Sequence, residues 1–122
     1  VQITPLATES LSKAAPFDLI LCDAPCSGSG TWRRTPDAKW RLTPERLTEL
    51  NAIQSEILDR AALLTRAGSV MAYATCSVLT AENEGVVAPF LERHTDWTRI
   101  DRMALQPTEQ HDGFQMSVMR RT

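Results

Sequence analysis

Phe17-Asp18-Leu19-Ile20-Leu21-Cys22 is apolar at every position but Asp18, the pattern of a strand buried on both faces. Pro25, Gly28 and Gly30 end it. Pro36 marks another turn, and Leu47, Leu50, Ile53, Ile57, Leu58, Ala61 and Leu64 then recur at helical spacing. Thr43 is placed to cap that helix, Pro44 suits its first position, and Glu45 complements the dipole there. Gly68 reads as its C-terminal stop. Ser69 to Ala74 predicts a second buried strand. Thr80 opens a second helix with Val86, Val87, Phe90 and Leu91 on its apolar face, which Pro89 should kink or shorten. Val1-Gln2-Ile3 reads as the end of a strand and Trp97 to Ile100 as a short one. Asp112-Gly113 is a turn signal. Beyond it Phe114, Met116 and Val118 alternate with Gln115, Ser117 and Met119, which predicts an edge strand.

Strands alternating with helices imply an α/β fold, with a parallel sheet built from right-handed crossovers. No G-x-G-x-x-G loop follows a first strand, so the chain holds the second half of a doubly wound, Rossmann-like fold at most. The expected architecture is a partly parallel sheet with flanking helices and an antiparallel edge strand. The strand at Leu19 to Cys22 should then expose a flat apolar edge, which invites pairing with another copy.

Composition narrows the class. At 122 residues the chain makes one domain. No apolar run approaches the about 18 residues of a membrane span, and no signal peptide is visible at Val1. Three cysteines, Cys22, Cys26 and Cys76, are too few and odd in number for a disulfide framework, which points to a reducing cytoplasm. Neither they nor His94 and His111 fall at metal-ligand spacing. A net charge of −2 argues against a general nucleic-acid-coating protein. Between Thr31 and Arg46, however, Arg33, Arg34, Lys39, Arg41 and Arg46 stand against Asp37 and Glu45. That cluster is either a solvated basic loop or a set of phosphate contacts. Trp32 and Trp40 within it read first as packing residues.

The candidate chemistry lies in two short motifs. Asp23-Ala24-Pro25-Cys26-Ser27-Gly28 follows the first strand, and Ala74-Thr75-Cys76-Ser77 follows the second. Each thiol sits where a strand opens into a loop, the edge at which open α/β sheets bind ligands. Loop amides near a helix N-terminus can lower a thiol pKa. A cysteine after a strand can equally be a small buried hydrophobe, the reading that suits Cys22. Two such thiols can also form a redox pair.

The ordered set of motifs resembles the RNA cytosine-5 methyltransferases of the Sun/nucleolar-protein family, from Phe17 to near the C-terminus. Its carriers are the Asp23–Gly28 motif, Gly30-Thr31-Trp32-Arg33-Arg34, Pro36-Asp37-Ala38-Lys39-Trp40, Gln54-Ser55-Glu56-Ile57-Leu58, Tyr73-Ala74-Thr75-Cys76-Ser77, Glu82-Asn83-Glu84 and Asp112-Gly113-Phe114. One departure is Gln115, where the family usually has a second aromatic. The resemblance implies a class I methyltransferase fold, S-adenosyl-L-methionine as cofactor and RNA, commonly ribosomal RNA, as partner. It implies Cys76 as nucleophile, Cys26 as the group that assists product release, Asp23 beside cofactor and base, and Pro25 at the cofactor. Arg33, Arg34 and Lys39 become candidate RNA contacts. The family's Gly-rich cofactor loop would lie before Val1. Residues 1–122 are therefore expected to be the C-terminal part of the catalytic domain, inactive alone.

The chemistry accounts for the residue types. Carbon 5 of cytosine is a poor nucleophile until a thiolate adds at carbon 6. A DNA cytosine-5 methyltransferase would use a Pro-Cys nucleophile, which Pro25-Cys26 matches, but Thr75-Cys76-Ser77 would then have no role. A two-cysteine redox domain and a non-catalytic RNA- or protein-binding fragment are the other classes open at this point.

Overall fold

The computed structural model describes residues 14–32 and 37–122. The expected strand end at Val1 to Ile3, the turn at Pro36, and Arg33 and Arg34 lie outside the described residues. Four strands form one sheet, β1 (Phe17–Asp23), β2 (Thr65–Thr75), β3 (Trp97–Leu105) and β4 (Phe114–Arg121). Its order is β1-β2-β4-β3. β1 and β2 are parallel, whereas β4 is antiparallel to both β2 and β3. The helices are α1 (Ala38–Arg41), α2 (Pro44–Leu63) and α3 (Glu84–Arg93). This is the expected mixed α/β architecture. The strand at Phe114, however, lies inside the sheet, and β3 takes the edge.

Helix α2 begins as its sequence dictates. The Thr43 hydroxyl accepts from the Arg46 N–H at 3.1 Å, and Pro44 occupies the first turn. It stops earlier than Gly68 suggested. Leu64 closes it, and Thr65 returns its own hydroxyl to the Ala62 carbonyl at 2.7 Å and enters β2. Gly68 instead sits at φ 90° in an irregular stretch of β2, where the pairing jumps from Phe17↔Thr65 to Leu19↔Val70. A positive φ is the reason glycine stands there. Thr80 starts only a short 3-10 turn (Thr80–Glu82), and α3 begins after a break at Asn83. Pro89 sits inside α3, which runs on to Arg93.

The core lies on one face of the sheet. Leu58, Ala61 and Ala62 of α2 and Val86, Val87 and Phe90 of α3 pack with Cys22, Met71, Tyr73, Trp97 and Met119. The expectation that β1 is buried on both faces fails, whereas Ser69 to Ala74 of β2 has no exposed residue. Ile20 and Cys22 point to the helices, but Leu19 and Leu21 are 68% and 66% exposed. The alternation in β4 is also reversed from its simple reading. Ser117 and Met119 face the core, while Phe114, Met116 and Val118 line the other, half-buried face. Among the described residues no helix covers that second face, so apolar side chains occupy both sides of β4. Ile53 of the predicted helical stripe is likewise 39% exposed.

Candidate active site

β1 and β2 run parallel, so their carboxyl ends share one edge and deliver Cys26 and Cys76 to it. Asp23 pairs with Ala74 at the last step of the ladder, and the Ala24 N–H continues it to the Ala74 carbonyl at 3.0 Å. The two Sγ atoms come to 3.3 Å. Cys76 is exposed and Cys26 half-buried. Desolvation, followed by the hydrogen bond with Cys76, pushes the Cys26 thiol up to about 12. Burial thus favours the protonated form of Cys26, and either sulfur can be the donor in the contact. Cys22 is a core residue whose thiol burial pushes up to about 11.

A buried polar lattice holds the two loops together. The Glu82 carboxylate is fully buried. Its Oε2 accepts from the Ser27 N–H at 2.8 Å and from Gln54 Nε2 at 3.0 Å. Its Oε1 accepts from the Ser27 hydroxyl at 2.5 Å and from the Ser77 hydroxyl at 2.6 Å. Gln54 Nε2 also donates to the Pro25 carbonyl at 2.8 Å. Asn83 accepts from the Thr75 hydroxyl at 2.6 Å and donates to the Ser77 and Leu79 carbonyls. Tyr73 donates its hydroxyl to the Glu82 carbonyl at 2.8 Å; desolvation first, then the nearby Glu82 charge, pushes that phenol well above its usual range. Such a lattice, satisfied throughout, fixes loops that would otherwise be mobile.

Backbone contact adds a third loop. The Gly30 N–H donates to the Cys76 carbonyl at 2.9 Å, and the Gly113 N–H donates to the Gly30 carbonyl at 2.8 Å. A Cβ on Gly30 would stand 2.5 Å from the Gly113 oxygen and 2.7 Å from the Cys76 oxygen. Glycine is required here by close approach rather than by φ.

Of the predicted site residues, Cys26 and Cys76 converge. Asp23 stands exposed at the end of β1, on the strand face away from the core. Pro25 is exposed, with its carbonyl held by Gln54. Lys39 is on α1, where its ammonium lies 5.0 Å from the ring centroid of Trp40. Trp40 is 78% exposed and so is not the packing residue it was expected to be. Trp32 is half-buried, with an indole N–H that has no partner among the described residues. Gln54 and Glu82 were not singled out for a role by sequence reasoning. Gln54 carries a readable signal, since it falls on the apolar stripe of α2 between Leu50 and Leu58. Among the described residues no group of three or more potential ligands gathers for a metal, and no helix is long and apolar enough to cross a membrane.

The fold and this edge are those of part of a Rossmann-like domain. A solved methyltransferase homolog from Pyrococcus horikoshii matches 93% of the chain with a TM-score of 0.77 at 23% identity, the chain covering 42% of it. NSun6 from the same organism, solved with SFG, matches 99% at TM-score 0.77 and 23% identity, with 34% of that protein covered. Residues 5–121 match the 16S rRNA methyltransferase RsmB/F family, and the chain belongs to it. The ribosomal RNA small subunit methyltransferase B of Serratia proteamaculans is 43% identical over 106 residues, 80% of this chain and 25% of that relative. The chain thus spans about a quarter of the length of such curated relatives.

Proposed function

We propose that this chain supplies the two-thiol part of a site that methylates carbon 5 of a cytosine in RNA, small-subunit ribosomal RNA by its family. The observation that carries the reading is the approach of one exposed and one half-buried thiol to 3.3 Å at the carboxyl edge of parallel strands. Cys76, the accessible sulfur, adds to carbon 6 of the base and makes carbon 5 nucleophilic. Once carbon 5 carries the methyl group, its proton passes to a base, the electron pair of that C–H bond restores the 5,6 double bond, and the carbon 6–sulfur bond breaks. Cys26, which keeps its own proton, donates a hydrogen bond toward the departing Cys76 Sγ. Asp23 hydrogen-bonds the cytosine edge. Lys39, with Arg33 and Arg34, contacts phosphate.

S-adenosyl-L-methionine is the methyl donor in this reading. Asp23 suits it chemically, as an exposed carboxylate at the strand end able to accept from an ammonium or hydroxyls, with Pro25 alongside. SFG in NSun6, an analogue of that donor, supports the assignment. The apolar face of the sheet that no described helix covers supports a further step: a complete catalytic domain carries the cofactor's Gly-rich loop and covers that face. Activity then belongs to the complete domain, which works in the cytoplasm.

In the full-length enzyme, Cys76→Ala should abolish methylation of a cytosine-containing ribosomal RNA transcript. Cys26→Ala should accumulate a covalent RNA–protein adduct visible on a denaturing gel. The reverse pattern would exchange the two roles, and methylation of the matching DNA would overturn the substrate class. The sulfur separation also favours one second reading, a dithiol redox pair. Reversible loss of both thiols under mild oxidant, in a protein that methylates no RNA, would select it.

A further inference from the structure

The Glu82 side chain hydrogen-bonds to both cysteine loops at once. It comes from the 3-10 turn ahead of α3, reaches into the core, and is completely buried. Two oxygens have room for about four hydrogen bonds, and all four come from donors that locate the thiols. Two are from Ser27, next to Cys26, one is from Ser77, next to Cys76, and one is from Gln54, which also holds Pro25. The Ser29 hydroxyl, 3.0 Å from that of Ser77 and accepting from the Val78 N–H, and the Gly30 N–H, donating to the Cys76 carbonyl, tie the same two loops further out. The Glu82 carboxylate is the link that reaches the residue next to each sulfur. We infer that Glu82 is a positioning residue: its carboxylate ties the Cys26 loop to the Cys76 loop and sets the separation of the two sulfurs.

The inference rests on the two-thiol reading for its importance to catalysis, but not for its geometry. Removing the acceptor leaves a buried N–H, two hydroxyls and an amide without their partner, and the loops must shift to find others. Glutamine can replace glutamate without that shift. Its oxygen can accept from the Ser27 N–H and Gln54, while its amide donates to the Ser27 and Ser77 hydroxyls, which can turn to accept. Leucine fills similar space with no polar atom. Glutamine should therefore preserve the sulfur separation, and leucine should lose it.

The test reads thiol geometry directly. The full chain is treated with diamide. Cys26 and Cys76 each lose a proton and one electron, an S–S bond forms between them, and the N=N bond of the reagent is reduced to the hydrazine. The disulfide-linked peptide is timed by mass spectrometry. Wild type and Glu82→Gln should cross-link at comparable rates. Glu82→Leu should be slower by about tenfold or more, since a small misplacement forfeits much of the advantage of proximity. If Glu82→Leu does not fold by circular dichroism, the double variant Ser27→Ala, Ser77→Ala decides, with the same slowing expected. Cross-linking at the wild-type rate in either folded variant, or a Gln variant as slow as the Leu variant, overturns the inference. In the full-length enzyme the Leu variant should lose about 10²-fold in kcat with KM little changed, and the Gln variant should recover it. Cross-linking needs neither RNA nor cofactor. If it depends on Glu82 while no RNA is methylated, the functional reading falls and the positioning role stands.

Discussion

Burial raises the thiols of Cys26 and Cys22, and pH exposes the effect. Cys26 and Cys22 are held protonated, at about 12 and about 11 against an ordinary 9.0. A thiol whose folded pKa is raised binds its proton more tightly in the native state. Its contribution to stability is whole below about pH 9 and is withdrawn as pH climbs toward the folded value. The protein should therefore lose denaturant resistance between about pH 9 and 11 under reducing conditions. Cys26→Ala should show a shallower loss than wild type, since only Cys22 and the raised Tyr73 phenol then remain. Denaturant midpoints at pH 7, 9 and 10 check this, and parallel curves for the two proteins would refute it. The thiols themselves were legible from the motifs around them. Their separation was not, because it depends on Gln54 and Glu82. A polar residue within an apolar stripe can be noticed in a sequence. Which loop its amide will reach is decided only when α2 docks on β1 and β2.

At the scale of elements, three loops meet at Gly30, and sequence alone assigned that glycine only the duty of ending a strand. The backbone approach to Cys76 and Gly113 joins residues far apart in the chain, which no local pattern encodes. Gly30→Ala would drive a methyl group into two carbonyl oxygens at 2.5 and 2.7 Å, and backbone cannot yield as a flexible side chain does. A cost of about 1–3 kcal/mol is expected, with slower Cys26–Cys76 cross-linking because the Cys76 carbonyl is displaced. An unchanged melting temperature would show that the loops part without strain. The caps of α2 were readable because Thr43, Pro44 and Glu45 act on their own backbone. The fate of Gly68 was not, since a left-handed glycine can end a helix or distort a strand, and the pairing of β2 with β1 chose the latter. In β4 the period of two was correctly seen, but both of its faces carry apolar residues. Only the placement of β4 between β2 and β3 determined that Ser117 and Met119, rather than Phe114 and Val118, meet the helices.

For the whole molecule, the consequence is an unbalanced sheet. Helices cover one face; on the other, Leu19 and Leu21 of β1 and Met103 and Leu105 of β3 are each more than 40% exposed among the described residues. β1 is also the last strand of the sheet, so its outer edge pairs with no described strand. An apolar, unpaired edge is a template for another strand. We propose that the isolated chain self-associates through β1, with a second copy adding its own β1 across the edge. Asp18 and its ion pair with Arg66 blunt only the start of that strand, leaving Leu19 to Leu21 available. Sedimentation of the 122-residue chain should show mass rising with concentration. Replacing Leu19 and Leu21 together by lysine should return it to monomer, because charge on an edge strand opposes pairing. Neither side chain points into the core, so the double variant should keep its melting temperature within about 1 kcal/mol of equivalent stability. A wild-type chain that stays monomeric at all concentrations would refute the proposal.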